Sequence, residues 1–196
     1  MMKVTAGKYR GRNIESRPDK NLRPTSSRVR EAIFNLLVHG KFMKQEDFVR
    51  DDNPSALEGR KAVDIFCGTG ALGLEAMSRG VEHVTFVDQD SKILAITRRN
   101  VEHFGEQSHA QFIRSDSTRL PRAPMKHELA FVDPPYNKNL APKALESLRD
   151  QGWLAHGAVV LVEHAKKEDL TVPEKFYLVD TREYNVTRIS ILQYRE

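Results

Sequence analysis

At 196 residues the chain suffices for one good-sized domain with a small appendage, and 39% hydrophobic against 30% charged residues suits a soluble globular protein rather than a disordered one. No apolar run is long enough to span a bilayer, and the opening "MMKVTAGKYR" lacks the apolar core of a secretory signal. A single cysteine, Cys67, excludes an intrachain disulfide, and seven scattered histidines with no Cys/His cluster argue against a metal site, so the expected location is the cytoplasm.

The net charge of +4 is unevenly spread. Residues 1–30 carry nine basic side chains (Lys3, Lys8, Arg10, Arg12, Arg17, Lys20, Arg23, Arg28, Arg30) against Glu15 and Asp19, a net of +7; the remainder holds 22 basic and 25 acidic residues, a net of −3. A basic front on a slightly acidic body points to a polyanionic partner met at one end. "KVTAGKYRGRNIES" reads as two short strands around a glycine-containing turn, a basic hairpin, with Tyr9 and Ile14 arguing for a folded element rather than a solvated tail. "RPTSSRVREAIFNLLVH" follows with Val29, Ile33, Leu36 and Leu37 at helical spacing and Thr25, Ser26 and Ser27 placed to cap the helix. From Gly40 to Gly59 the composition turns polar, which predicts a surface loop with one short helical turn around Phe42 to Phe48.

Strands and helices then alternate: "KAVDIF", "GALGLEAMSRG", "HVTFVD", a helix over 91–104, "AQFIRSD", "ELAFVD", a helix over "PKALESLRDQG", and "AVVLVEH". That order predicts an α/β fold with a mainly parallel sheet covered on both faces. "KFYLVDTREY" and "VTRISILQYR" adjoin across a short turn at Asn185 and predict an antiparallel pair closing the sheet.

Ligands of open parallel sheets bind beyond the carboxyl ends of the strands. The first strand ends at Asp64 and runs into a glycine loop with Gly68, Gly70 and Gly73 in G-x-G-x-x-G spacing; the others end at Asp88, Asp116 and Asp133. The glycines would let backbone approach an adenosine-bearing cofactor, Asp88 would accept from ribose hydroxyls, Asp116 from the adenine amine, and Asp64 would lie near a cationic methionine end. These residues alone fit NAD as well as S-adenosylmethionine. "DPPY", Asp133 to Tyr136, breaks the tie. Asp133 and the Pro134 carbonyl can accept both N–H bonds of an exocyclic base amine, Pro135 stiffens the turn, and Tyr136 can stack on a base that has left its helix. Cys67 lies inside the cofactor loop and is read as a small loop residue rather than a nucleophile.

The sequence resembles the bacterial RsmD family, which methylates N2 of a guanine in 16S ribosomal RNA, through "GKYRGR", "LRPTSSRVREAIFNLL", "VDIFCGTGALGLEAMSRG", "VTFVDQD", "FVDPPYNK" and "GWLAHGAVVLVE". The glycine loop and "DPPY" recur in many amino-methyltransferases; "LRPTSSRVREAIFNLL" is the more specific stretch. Asp88 stands where the family more often has Glu, Cys67 and Thr69 where Ala and Ser are commoner, and the 41–60 segment is long for the family. The resemblance implies a Rossmann-like class I methyltransferase domain over 21–196, with the hairpin of 1–20 as the RNA contact. It implies that Arg23, Pro24 and Thr25 lie close to the cofactor and target pocket, and that Lys8, Arg10, Arg12 and Arg23 meet RNA. The expected reaction uses S-adenosylmethionine, yields S-adenosylhomocysteine and needs no metal. The expected substrate is a guanine-966-type site in the small ribosomal subunit, acted on by a monomer. Adenine-N6 methylation of DNA or RNA is the second reading, a non-catalytic nucleic-acid-binding protein with a vestigial pocket the third, and a dehydrogenase the last.

Overall fold

A computed structural model describes residues 2–16, 27–39, 56–136 and 138–196. The expected helical turn around Phe42 to Phe48, and Arg23, Pro24 and Thr25, lie outside the described residues.

In chain order the elements are β1 (Met2–Lys3), β2 (Asn13–Ile14), α1 (Ser27–His39), β3 (Lys61–Ile65), α2 (Ala71–Ser78), β4 (His83–Asp88), α3 (Ser91–Phe104), β5 (Ala110–Arg114), β6 (His127–Val132), α4 (Ala141–Asp150), β7 (Leu154–Ala165), β8 (Phe176–Tyr184) and β9 (Thr187–Tyr194). Seven strands form one sheet in the order β5-β4-β3-β6-β7-β9-β8. The first five are parallel, and β9 enters antiparallel between β7 and β8. The α/β class, the parallel body and the antiparallel close are thus as the sequence predicts.

The sheet is covered unequally. One face packs Phe34 and Leu37 of α1, Leu74 and Met77 of α2 and Val101 and Phe104 of α3 over Phe86, Leu129, Phe131 and Leu161. The other packs Ala144, Leu145 and Leu148 of α4 over Val63, Ala130, Val160 and Val162. Alternate residues of β3 and β6 go to opposite faces, which is why these strands read as continuous apolar runs. Helix ends follow local chemistry. Asp90 caps α3 by accepting the Lys92 N–H at 2.8 Å, and Gly105 ends it in the left-handed region.

The basic hairpin is sewn to the body. Val4 and Ile14 belong to the first core face. Glu75, fully buried on α2, accepts from the Thr5 and Ala6 N–H groups at 2.8 and 3.0 Å and from the Thr5 hydroxyl at 2.6 Å. The same carboxylate pairs with Arg30 of α1 at 3.4 Å and with Arg79 at 2.9 Å. One buried acid therefore joins the hairpin, α1 and α2. Asn100 of α3 adds a second suture, holding both the N–H and the carbonyl of Glu15 while also donating to the Thr69 carbonyl in the glycine loop.

Candidate active site

The parallel strands leave their carboxyl ends on one edge. β3 pairs with β4 on one side and β6 on the other, so strand order reverses there, the switch point where open α/β sheets bind ligands. Ile65 is in register with Val132, the last residues of their strands. Phe66, entering the glycine loop, and Asp133, opening the "DPPY" turn, therefore leave the sheet side by side.

The loop turns tightly through Phe66, Gly68 and Gly70, all at positive φ, and Gly70 caps α2. At Gly68 an added Cβ would meet nothing nearer than the Phe66 carbonyl at 4.0 Å, so space stands open over this backbone. Gly73 has the opposite reason to be glycine: a Cβ there would come within 2.3 Å of the buried Phe86 ring. Behind the loop, the Thr97 hydroxyl donates to the Gly68 carbonyl at 2.6 Å and Ser117 accepts from the Phe66 N–H at 3.3 Å. Neither support is legible in sequence, because both come from remote segments.

The four carboxylates fall into different settings. Asp64 is not the strand's last residue but its penultimate one, 1% exposed, accepting the Gly73 N–H at 2.9 Å. Burial, with Asp88 nearby, pushes its pKa up to about 8. Asp88 closes β4, half-buried, with one oxygen on the Gly68 N–H at 3.1 Å and the other on the Asp90 N–H at 2.9 Å. Burial raises its pKa as well. Asp116 lies two residues beyond the end of β5, exposed, with one oxygen accepting from the Thr118 N–H and hydroxyl at 2.9 and 2.8 Å. Those bonds lower its pKa. Asp133 is half-buried directly after β6.

In the same turn Pro134 is buried, Pro135 exposed and Tyr136 half-buried. The Tyr136 hydroxyl points inward, 2.7 Å from Glu163 Oε1 and 2.9 Å from Thr187 Oγ1, two partners the sequence did not mark out. Cys67 is buried and its thiol is held well above its usual range by burial and two nearby carboxylates, which makes it inert at neutral pH.

On the hairpin, Arg10 is exposed, Lys8 pairs with Glu106 at 2.5 Å, and Arg12 stacks on Tyr9 and Phe104 at 5.2 and 4.6 Å. Glu106 also accepts from the Tyr9 hydroxyl, and Lys8 keeps half its side-chain surface in solvent. Among the described residues there is no group of three or more His, Cys, Asp or Glu side chains placed to hold a metal, and no helix long and apolar enough to cross a membrane.

The family model described as conserved hypothetical protein 95 matches residues 2–193. The chain belongs to this family, that of the RsmD methyltransferases. Among RsmD-family relatives, YlbH of Bacillus subtilis, named as a candidate rRNA methyltransferase, is 31% identical over 99% of this chain and 100% of its own. Ribosomal RNA small subunit methyltransferase D of Escherichia coli is 30% identical over 90% of this chain and 82% of its own. The solved structure of yhhF from Escherichia coli superposes with a TM-score of 0.79 at 27% identity, covering 99% of this chain and 98% of that one. This RsmD-family chain is accordingly a methyltransferase of Rossmann-like fold.

Proposed function

We propose that this protein transfers a methyl group from S-adenosylmethionine to the exocyclic N2 of a guanine in 16S rRNA of the small ribosomal subunit, at a site of the guanine-966 type. The observation that supports the reading is the register of Ile65 with Val132, which brings the glycine loop beside the "DPPY" turn. Relatives named as small-subunit rRNA methyltransferase D support the substrate class.

The residues fit the cofactor. Space lies open over Gly68, and Asp88, oriented by backbone N–H groups that include those of Gly68 and Asp90, would accept from ribose hydroxyls. Asp116 has its second oxygen for the adenine amine, and Asp64 suits the cationic methionine end; Arg23 and Thr25 complete the cofactor side on the strength of family resemblance. S-adenosylmethionine supplies an electrophilic methyl on a sulfonium. A guanine amine is a poor nucleophile because its lone pair is delocalised into the ring. Asp133 and the Pro134 carbonyl accept its two N–H bonds and turn the lone pair toward the methyl carbon. Pro135 stiffens the turn, and Tyr136 stacks on the extruded base. Formation of the N–C bond would be matched by cleavage of the C–S bond, with the pair kept on sulfur as the thioether S-adenosylhomocysteine, and the amine proton would pass to Asp133 or water. Positioning of this kind can supply roughly 7–11 kcal/mol of the barrier.

On the RNA side, Lys8, Arg10, Arg12 and Arg23 supply phosphate contacts; Arg10 and half of the Lys8 side chain are exposed, and Arg12 stacks on both Tyr9 of the hairpin and Phe104 of α3. The reading is tested with Asp133→Ala: calorimetry should show cofactor affinity intact, and methyl transfer to unmodified small subunits should fall at least about a hundredfold. Turnover near the wild-type rate would exclude this mechanism.

A further inference from the structure

Tyr136 ends the "DPPY" turn, and its hydroxyl reaches the β7–β9 ladder. Glu163 is 6% exposed on β7 and Thr187 is 7% exposed at the start of β9. Ala165 pairs with Thr187 and Glu163 with Ile189, so Glu163 and Thr187 sit diagonally across the β7–β9 ladder, on the flank of the sheet beside β6. A carboxylate can only accept, so the phenol gives its one proton to Glu163 at 2.7 Å and receives one from Thr187 at 2.9 Å. The hydroxyl's one proton and one of its lone pairs are thereby engaged inside the protein.

A tyrosine has two side-chain torsions. Pinning its far end to two adjacent strands leaves the ring a single plane, whereas a phenylalanine at the same position would swing about its Cβ. The hydroxyl is a tether to the rigid centre of the sheet.

We propose that Glu163 and Thr187 are positioning residues that fix the plane of the Tyr136 ring, and with it the geometry in which the target base is presented. This rests on the reading of Asp133 to Tyr136 as the acceptor turn. Neither residue touches the base or the cofactor. Antiparallel β9 thus has a task beyond closing the sheet: it delivers Thr187 to the edge where the parallel strands end.

The test compares Tyr136→Phe, Glu163→Leu, Thr187→Val, Glu163→Gln and the Tyr136→Phe/Glu163→Leu double variant in steady-state methylation of unmodified small subunits. Cofactor affinity should be unchanged throughout. Tyr136→Phe and Glu163→Leu should each lower kcat about tenfold, the worth of one ordinary hydrogen bond, and the double variant should fall no further, since both remove the same tether. Glu163→Gln keeps an accepting oxygen and should recover to within about threefold of wild type, a margin set by the charge-assisted part of the bond. A spectroscopic signature accompanies this. Burial and the Glu163 charge hold the Tyr136 phenol above the ordinary tyrosine range. In ring-labelled tyrosine NMR, the resonance missing from Tyr136→Phe should titrate lower in Glu163→Gln than in wild type. If Glu163→Leu fails to fold, Thr187→Val against Tyr136→Phe carries the same cycle. Additive losses, or wild-type kcat in Glu163→Leu or Tyr136→Phe, overturn the inference. A wild-type protein that makes no N2-methylguanosine overturns the proposed function instead.

Discussion

Asp64 sits 1% exposed one residue before the end of an apolar strand, and burial, only partly offset by the Gly73 N–H, pushes its pKa up to about 8. At pH 7 in the free protein the carboxyl is therefore mostly protonated. A cationic ligand beside it favours the carboxylate, so binding lowers that pKa and releases a proton below pH 8. The sign follows: affinity for S-adenosylmethionine should climb as pH rises from 6 toward 8 and level off above it. In Asp64→Asn the group is neutral at every pH yet still accepts from Gly73, so this part of the slope should vanish. Calorimetry across pH 6 to 9 measures both proteins, and equal slopes would show that Asp64 does not face the cofactor's charge. The sequence marked Asp64 as a site residue from its place ahead of the glycines. Its burial depends on the neighbouring strands and could not be read there, nor could Tyr136's partners, which lie 27 and 51 residues further along.

Among the elements, the hairpin and α2 belong together. Residues 1–30 carry the positive charge that suggested a polyanionic partner; the structure ties the hairpin within residues 2–16 through Glu75 into the core that also holds α1. Glu75 was legible as a helix residue and no more, because its partners Thr5, Ala6 and Arg30 are 45 to 70 positions away. Replacing it with leucine would strand the fully buried Arg30 and leave two backbone N–H groups of the hairpin without their acceptor. Urea unfolding should then report a loss of about 3–5 kcal/mol, the usual cost of removing one partner of a buried pair; a loss under about 1 kcal/mol, the scale of an exposed pair, would contradict the hub. Because the hairpin is part of the core, RNA contacts there are better probed by single substitutions such as Arg10→Gln than by truncation.

Strand limits show what pattern reading captures. β4 and α3 match their sequence signals, since β4 is a short run buried on both faces from Val84 to Val87 and the Asp90 and Gly105 caps of α3 are local. β7 starts at Leu154, ahead of the apolar run from Ala158, because a bulge around Gly157, at φ 78°, sets five residues of β7 against two steps on β6. Such a bulge is a tertiary accommodation with no signal in the run itself.

At the scale of the molecule, strand order decides where chemistry can happen. β3 between β4 and β6 gathers the glycine loop, Asp88 and the "DPPY" turn on one edge, and β9 returns antiparallel to support that edge from its far side. The hairpin meets the same assembly from the outside, since Asn100 binds both Glu15 and the Thr69 carbonyl. The glycine loop, the "DPPY" turn and the basic hairpin thus belong to one hydrogen-bonded frame. The most direct test incubates the protein with labelled S-adenosylmethionine and small ribosomal subunits lacking the modification, then digests the RNA and separates its nucleosides by mass spectrometry. Label is expected in N2-methylguanosine. Label in N6-methyladenosine, or no label despite intact cofactor binding, would contradict it.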